Sequence, residues 1–134
     1  CPGLWSNACC SHPHPGDHLL YAARRRLKEE MGINAPVLET GVEFIYKIKL
    51  GSLYEYEYDH VLYSRFDGDP VPNPEEASDW KWICFDNLRN DMKANPEIYT
   101  PWFRLIIRQG DNSAEQIPVR GLERYTIVKL TGYL

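Results

Sequence analysis

The chain has 134 residues, 43% hydrophobic, 25% charged and 13% aromatic, which is the size and make-up of one globular domain. Its 15 basic against 19 acidic residues give a net charge of -4, which argues against a general nucleic-acid binder, whose domain is ordinarily basic. No apolar run approaches the roughly 18 residues of a membrane span, and no secretory signal is visible. The chain starts Cys1-Pro2-Gly3 with no initiator methionine and reads as a single domain, 1–134, lacking its N-terminal portion.

In chain order, residues 4–9 read as a short strand. The run His12-Pro13-His14-Pro15-Gly16 is loop chemistry. Asp17 stands at the N-cap position of a helix over 18–31. There Leu19, Leu20, Ala23, Leu27 and Met31 recur at helical spacing, and Gly32 supplies the stop. Residues 41–50 alternate, with Val42, Phe44, Tyr46, Ile48 and Leu50 on one face. Gly51-Ser52 turns the chain into a long tyrosine-rich strand over 53–66. A proline-rich loop over 68–74 leads to a strand over 80–85 that places Trp80, Trp82 and Cys84 together. Short helices are predicted over 86–94 and 100–109, with Thr100 as cap and Pro101 at the first helical position. After Gly110 the tail is polar and irregular apart from a strand over 125–130. The predicted class is α/β or α+β, a mixed sheet with one main helix packed on it.

The four cysteines, Cys1, Cys9, Cys10 and Cys84, form no CxxC pair, which argues against a thiolate zinc site. Without a secretory signal they read as free thiols in a reducing, cytoplasmic setting. Cys84 reads as a core residue and Cys9 as a small buried one.

Three stretches carry candidate chemistry. Arg24-Arg25-Arg26-Leu27-Lys28-Glu29-Glu30 reads either as a solvated helix face or as a charged site, because Arg26 and Glu30, four apart, share a face. A carboxylate at a glycine-ended helix among arginines suits Mg²⁺ carrying a phosphate. Cys10-Ser11-His12-Pro13 is either packing plus a loop or a functional pair. Tyr54-Glu55-Tyr56-Glu57-Tyr58-Asp59-His60 puts Glu55 and Glu57 on one face of a strand. That is either an acidic outer edge or two carboxylates that need a cation or a shared proton. With His12 nearby, the set suits Mn²⁺, Mg²⁺ or Zn²⁺.

Aligned on Gly32, the sequence resembles the Nudix box, Gly-x5-Glu-x7-Arg-Glu-U-x-Glu-Glu-x-Gly-U. It matches at Arg25, Leu27, Glu29, Glu30, Gly32 and Ile33 and departs at Ser11, Asp17 and Arg26. Arg26 puts a positive charge where the box carries a glutamate, which disfavours multi-metal hydrolysis and suits charge-assisted hydrogen bonding to a diphosphate. Together with Pro2-Gly3-Leu4-Trp5-Ser6-Asn7, Cys10-Ser11-His12-Pro13, Glu55-Tyr56-Glu57 and Thr100-Pro101-Trp102-Phe103 in this order, the chain resembles type 1 isopentenyl-diphosphate isomerases. The resemblance covers residues 1–110 and leaves 111–134 as a divergent tail.

That resemblance implies a Nudix fold, a mixed β-sheet sandwiched between helices. It also implies an isomerase that interconverts isopentenyl and dimethylallyl diphosphate by protonation and deprotonation. By position, Cys10 and Glu57 match the catalytic pair, and Tyr46 a tyrosine that hydrogen-bonds the glutamate. A thiolate is a competent base once positive charge lowers its pKa. Arg26 matches a diphosphate ligand. Trp102 matches a tryptophan over the reacting carbons, although as a residue alone it reads more readily as a core anchor under the last helix. His12, Glu55 and Glu57 match three of five ligands of a Mn²⁺, Zn²⁺ or Mg²⁺ site. Glu30 and the carbonyl of Cys10 match the ligands of a Mg²⁺ that arrives with the substrate diphosphate. His14, His18 and His60 match no ligand. The resemblance implies a small-molecule isoprenyl diphosphate as substrate, with no nucleic acid and no membrane span. A Nudix hydrolase of a nucleoside or isoprenoid diphosphate is the competing function, and a binding module without catalysis is a third.

Overall fold

The computed structural model describes residues 1–35, 37–112 and 125–131. In order these are β1 (Trp5–Asn7), α1 (Leu19–Met31), β2 (Glu39–Leu50), β3 (Leu53–Tyr63), β4 (Ala77–Ile83), α2 (Phe85–Ala94), a 3-10 turn (Pro96–Ile98), α3 (Pro101–Asn112) and β5 (Tyr125–Leu130). The class is α+β. The described strands form two antiparallel sheets rather than one mixed sheet: β5 lies between β1 and β4, and β2 pairs with β3 as a hairpin. Parallel pairing is confined, among the described residues, to the bridge between Trp5 and Tyr99. No helix among them is long and apolar enough to cross a membrane. Of the predicted tail, 113–124 and 132–134 lie outside the described residues; the strand expected over 125–130 is β5.

The main helix forms where its apolar spacing predicts, but its start is not capped as expected. His18 occupies the N-cap position without a side-chain bond. Asp17 instead accepts the His14 N–H at 3.2 Å and lies 3.8 Å from Arg25. The helix ends at Gly32, whose φ of 65° is left-handed, a conformation glycine adopts without steric cost. A second constraint acts there, because a Cβ on Gly32 would lie 3.0 Å from the Val71 carbonyl oxygen. The loop can approach so closely because Val71 N–H donates to the Met31 carbonyl at 2.9 Å and Asn73 N–H to the Glu30 carbonyl at 2.8 Å. These bonds satisfy two carbonyls that a helix end leaves open.

The hairpin has one face in and one face out. On β2, Val42 and Tyr46 are buried while Ile45, Lys47 and Lys49 are exposed. On β3, Glu55, Glu57 and Asp59 lie on the half-buried side and Tyr54, Tyr56 and Tyr58 face out. The acidic residues therefore form the inner face of β3, and the tyrosines its outer edge. The strand stops at Tyr63, short of the predicted Phe66.

The strand expected over 80–85 runs over 77–83 instead. Cys84 becomes the N-cap of α2 and is exposed, so it is not the core residue that the Trp80-Trp82-Cys84 alternation predicts. The period-two pattern holds only while the chain stays extended, and here it turns into a helix at Phe85. The core is built from Met31, Leu88, Tyr99, Trp102, Phe103, Ile106 and Ile127, which joins α1, α2, α3 and β5.

Candidate active site

The loop after β1 carries Cys9 and Cys10, and Asn7 Nδ2 braces it by donating to the Cys9 carbonyl at 2.7 Å. Two charged groups surround it, one on β3 and one on α1.

The β3 group starts from strand register. Tyr46 lies directly opposite Glu57 across the hairpin, and its hydroxyl donates to Glu57 Oε2 at 3.0 Å. From the loop, His12 Nε2 lies 2.6 Å from Glu57 Oε1. Glu57 thus has a phenol on one oxygen and an imidazole on the other. Glu55, two residues away on the same face, has its Oε2 buried with no hydrogen-bond partner. Burial first, and the Glu57 charge second, raise its pKa. The same two causes raise Asp59. The Tyr46 phenol is pushed up by burial and by both glutamates. These are the signs of a carboxylate cluster short of positive charge.

Cys10 faces this cluster. Its thiol is pushed up to about 12, by burial first and then by Asp59, Glu57, Glu30 and Glu55. The arginines of α1 are engaged elsewhere, and the groups that reach Cys10 are acids. Cys9 is pushed up in the same direction, by burial and then Glu30.

The α1 group centres on Arg26. Its Nη1 donates to Glu29 Oε2 at 2.8 Å, and its Nη2 lies 2.6 Å from Glu30 Oε1 and donates to Glu76 Oε1 at 3.4 Å. The shared helix face of Arg26 and Glu30 is thus a close ion pair. Glu30 is 5% exposed, and burial raises its pKa against the opposing pull of Arg26. Glu76 comes from the loop before β4, 50 residues from Arg26. Sequence reading did not single it out; its only local signal is an acid between the proline-rich loop and a strand.

Trp102 is 3% exposed, and its indole N–H donates to Ser6 Oγ at 3.1 Å; Ser6 Oγ in turn lies 3.0 Å from Thr100 Oγ1. It packs within the core. A cavity of about 500 Å³ opens between the Cys10 loop, α1, β3 and α3. Cys10, His12, Glu57 and Asp59 line it, as do the apolar Leu27, Phe103 and Ile106, whereas Trp102 does not. A smaller hollow of about 10 Å³, the size of one water, lies among Ser6, Cys9, Glu30 and Glu76. His60 pairs with Glu43 at 2.9 Å, and the Tyr58 hydroxyl donates to the same carboxylate at 2.6 Å. Among the described residues no three His, Cys, Asp or Glu side chains are grouped so as to hold a metal by themselves.

The NUDIX domain matches residues 1–103. The chain belongs to this family. Within it, the Nudix domain is similar to isopentenyl-diphosphate Delta-isomerase 1 of Aromatoleum aromaticum, 52% identical over 106 residues, 78% of this chain and 59% of that protein. It is 50% identical over 101 residues to isopentenyl-diphosphate Delta-isomerase 2 of the same organism, 75% of this chain and 53% of the relative. It is 42% identical over 116 residues to the isopentenyl-diphosphate Delta-isomerase of Serratia proteamaculans, 85% of this chain and 64% of the relative. The chain spans less than two thirds of the length of each of these relatives.

Proposed function

We propose that this Nudix domain carries the acid–base centre of an isomerase that converts isopentenyl diphosphate to dimethylallyl diphosphate. The observation that carries the reading is the hydrogen-bonded set Tyr46–Glu57–His12, of which Glu57 and His12 line one cavity with Cys10. Moving the double bond requires one proton to be added to the terminal alkene carbon and another to be removed from the carbon on the far side of the branched centre. Two proton-carrying groups at one cavity meet that need, and Cys10 and Glu57 are those groups. One gives a proton as the other takes one, and the pair exchanges roles in the reverse direction. Positioned acid–base groups of this kind contribute on the order of 10²–10⁴-fold in rate. Tyr46 holds Glu57 in orientation and supplies a hydroxyl through which its proton can pass.

The apolar wall at Leu27, Phe103 and Ile106 suits the five-carbon skeleton and excludes water from a cationic intermediate. Trp102, which the resemblance gives as the π face for that cation, has its indole held by Ser6 within the core and does not line this cavity. Arg26 is the diphosphate ligand. A Mn²⁺, Zn²⁺ or Mg²⁺ ion would be held by His12, Glu55 and Glu57, and a Mg²⁺ accompanying the diphosphate by Glu30 and the Cys10 carbonyl. One imidazole and two carboxylates are the donor types such an ion takes, although among the described residues the three are not grouped so as to hold it by themselves. The buried Glu55 Oε2, which has no hydrogen-bond partner, suits it as well. When bound, the ion supplies the positive charge that the β3 carboxylates lack. Four free thiols accord with a cytoplasmic setting.

Labelled isopentenyl diphosphate with Mg²⁺ and Mn²⁺ tests the proposal. The expected product is dimethylallyl diphosphate, with turnover lost on adding a chelator. Release of phosphate with no allylic product would make the chain a diphosphate hydrolase instead.

A further inference from the structure

We infer that Glu76 is a positioning residue that orients the guanidinium of Arg26. The inference rests on the reading of Arg26 as the diphosphate ligand, and it adds a residue that neither the Nudix box nor the helix contains. Arg26 has two acidic neighbours on its own helix, Glu29 and Glu30, one and nearly one turn further on. Both pull the guanidinium along the helix axis. Two anchors leave the planar group free to rock about the line between them. Glu76 is the third anchor, and it approaches Nη2 from outside the helix at 3.4 Å. Three anchors fix a plane. Held in that plane, the guanidinium keeps one orientation for its remaining charge-assisted contacts to a diphosphate.

The backbone is built to deliver this contact. Val71 and Asn73 N–H groups bond the last carbonyls of α1, Glu76 N–H donates to the Asn73 carbonyl at 2.9 Å, and the Glu76 carbonyl accepts Thr131 N–H at 3.0 Å. The loop is thus pinned to the helix end on one side and to the end of β5 on the other. The side chain of Glu76 takes no part in that pinning, so it can be changed without unmaking the loop. Its side chain is half-buried, beside the water-sized hollow that it shares with Glu30 and Cys9.

Two substitutions separate reach from charge. Glu76→Gln keeps the length and an accepting oxygen but removes the charge. Glu76→Asp keeps the charge but is one methylene too short for the Nη2 contact. Arg26 guanidinium NMR on the 134-residue chain reads the orientation directly. The expected result is hindered, resolved Nη–H signals in the parent and in Glu76→Gln, and averaged signals in Glu76→Asp. Calorimetry with inorganic pyrophosphate and Mg²⁺ should show Kd raised about five-fold in Glu76→Asp and less than about two-fold in Glu76→Gln, the scale of one charge-assisted hydrogen bond partly lost. The same split should appear in KM for isopentenyl diphosphate, with kcat little changed.

The opposite ranking, Gln impaired and Asp intact, would overturn positioning in favour of a charge effect. So would Arg26 signals that are the same in all three proteins. The NMR and pyrophosphate readouts do not require turnover, so a chain that fails to isomerise its substrate refutes the function and not this role. A parent that binds no pyrophosphate refutes the diphosphate role of Arg26, while the NMR comparison still decides what orients it.

Discussion

Two carboxylate clusters lie on either side of the Cys10 loop, and they differ in how their charge is met. At α1, Glu29 and Glu30 of the helix and Glu76 of the loop before β4 surround one guanidinium, with Arg25 close by. On β3, the cations that act on Glu55, Glu57 and Asp59 among the described residues are imidazoles, a largely solvent-exposed His12 and, at Asp59, His60. The first cluster carries its own permanent cation, because an arginine stays charged at any working pH. In the second, burial and the neighbouring Glu57 charge raise the pKa of Glu55 and of Asp59. The same residue type in two places therefore does two jobs. In the proposed function one cluster would hold a binding group still, and the other would store and move protons.

The largest effect should come from the unneutralised cluster. Glu57→Gln keeps the shape of the side chain and an oxygen for the Tyr46 hydroxyl, but it cannot take up a proton. Turnover of isopentenyl diphosphate should fall by about 10³-fold or more, within the range for a lost general acid–base group. Cys10→Ala should fall comparably, with an unchanged circular dichroism spectrum. Near-parental turnover in either would remove that residue from the proton-transfer pair and would leave the β3 cluster a structural feature like its neighbour.

This contrast was only partly legible in the sequence. Helix α1 was, because the 3.6-residue spacing of Leu19, Ala23, Leu27 and Met31 and the stop at Gly32 all agree. The Tyr46–Glu57 pairing was within reach, since the tight Gly51-Ser52 turn sets Leu50 against Leu53 and the register follows from there. The environment of Cys10 was not. The sequence places three arginines within a few turns, but the fold spends Arg26 on three acids and turns the inner face of β3 toward the thiol. Glu76 was also out of reach, since loop-to-helix hydrogen bonds and not local pattern bring it to Arg26. Cys84 was misplaced because alternation says nothing about where an extended chain bends into a helix.

The next effect in size concerns stability and the α1 cluster. Arg26→Ala leaves the buried Glu30 carboxylate without its cation, which should cost on the order of 3 kcal/mol in urea denaturation at neutral pH. Burial already raises the folded-state pKa of Glu30. The folded protein therefore holds that proton at a pH where the unfolded chain has released it. Such a group favours the folded state at acid pH and loses that contribution as pH rises through its raised value. Removing Arg26 takes away a lowering influence and raises the value further. The deficit of Arg26→Ala should accordingly be largest at neutral pH and shrink on acidification. A deficit that is flat with pH would show that the lost stability is packing of the arginine stem rather than an unpaired charge.

The smallest effect sharpens the comparison most closely, because it involves the adjacent residue. Arg25 lies 3.4 Å from Glu29 and 3.8 Å from Asp17, with every partner at or near the surface. It touches neither Glu30 nor Glu76 in any recorded pair. Exposed pairs of this kind gain little, because water screens them and ordering two long side chains costs entropy. Arg25→Ala should therefore shift stability by no more than about 0.5 kcal/mol and leave pyrophosphate affinity nearly unchanged, read by thermal denaturation and calorimetry beside Arg26→Ala. The two arginines are consecutive, equally charged, similarly exposed and both within reach of Glu29, so only the buried partner Glu30 and the loop acid Glu76 distinguish them. Equal losses from the two substitutions would mean that net charge along α1, and not the enclosed geometry around Arg26, governs this half of the site.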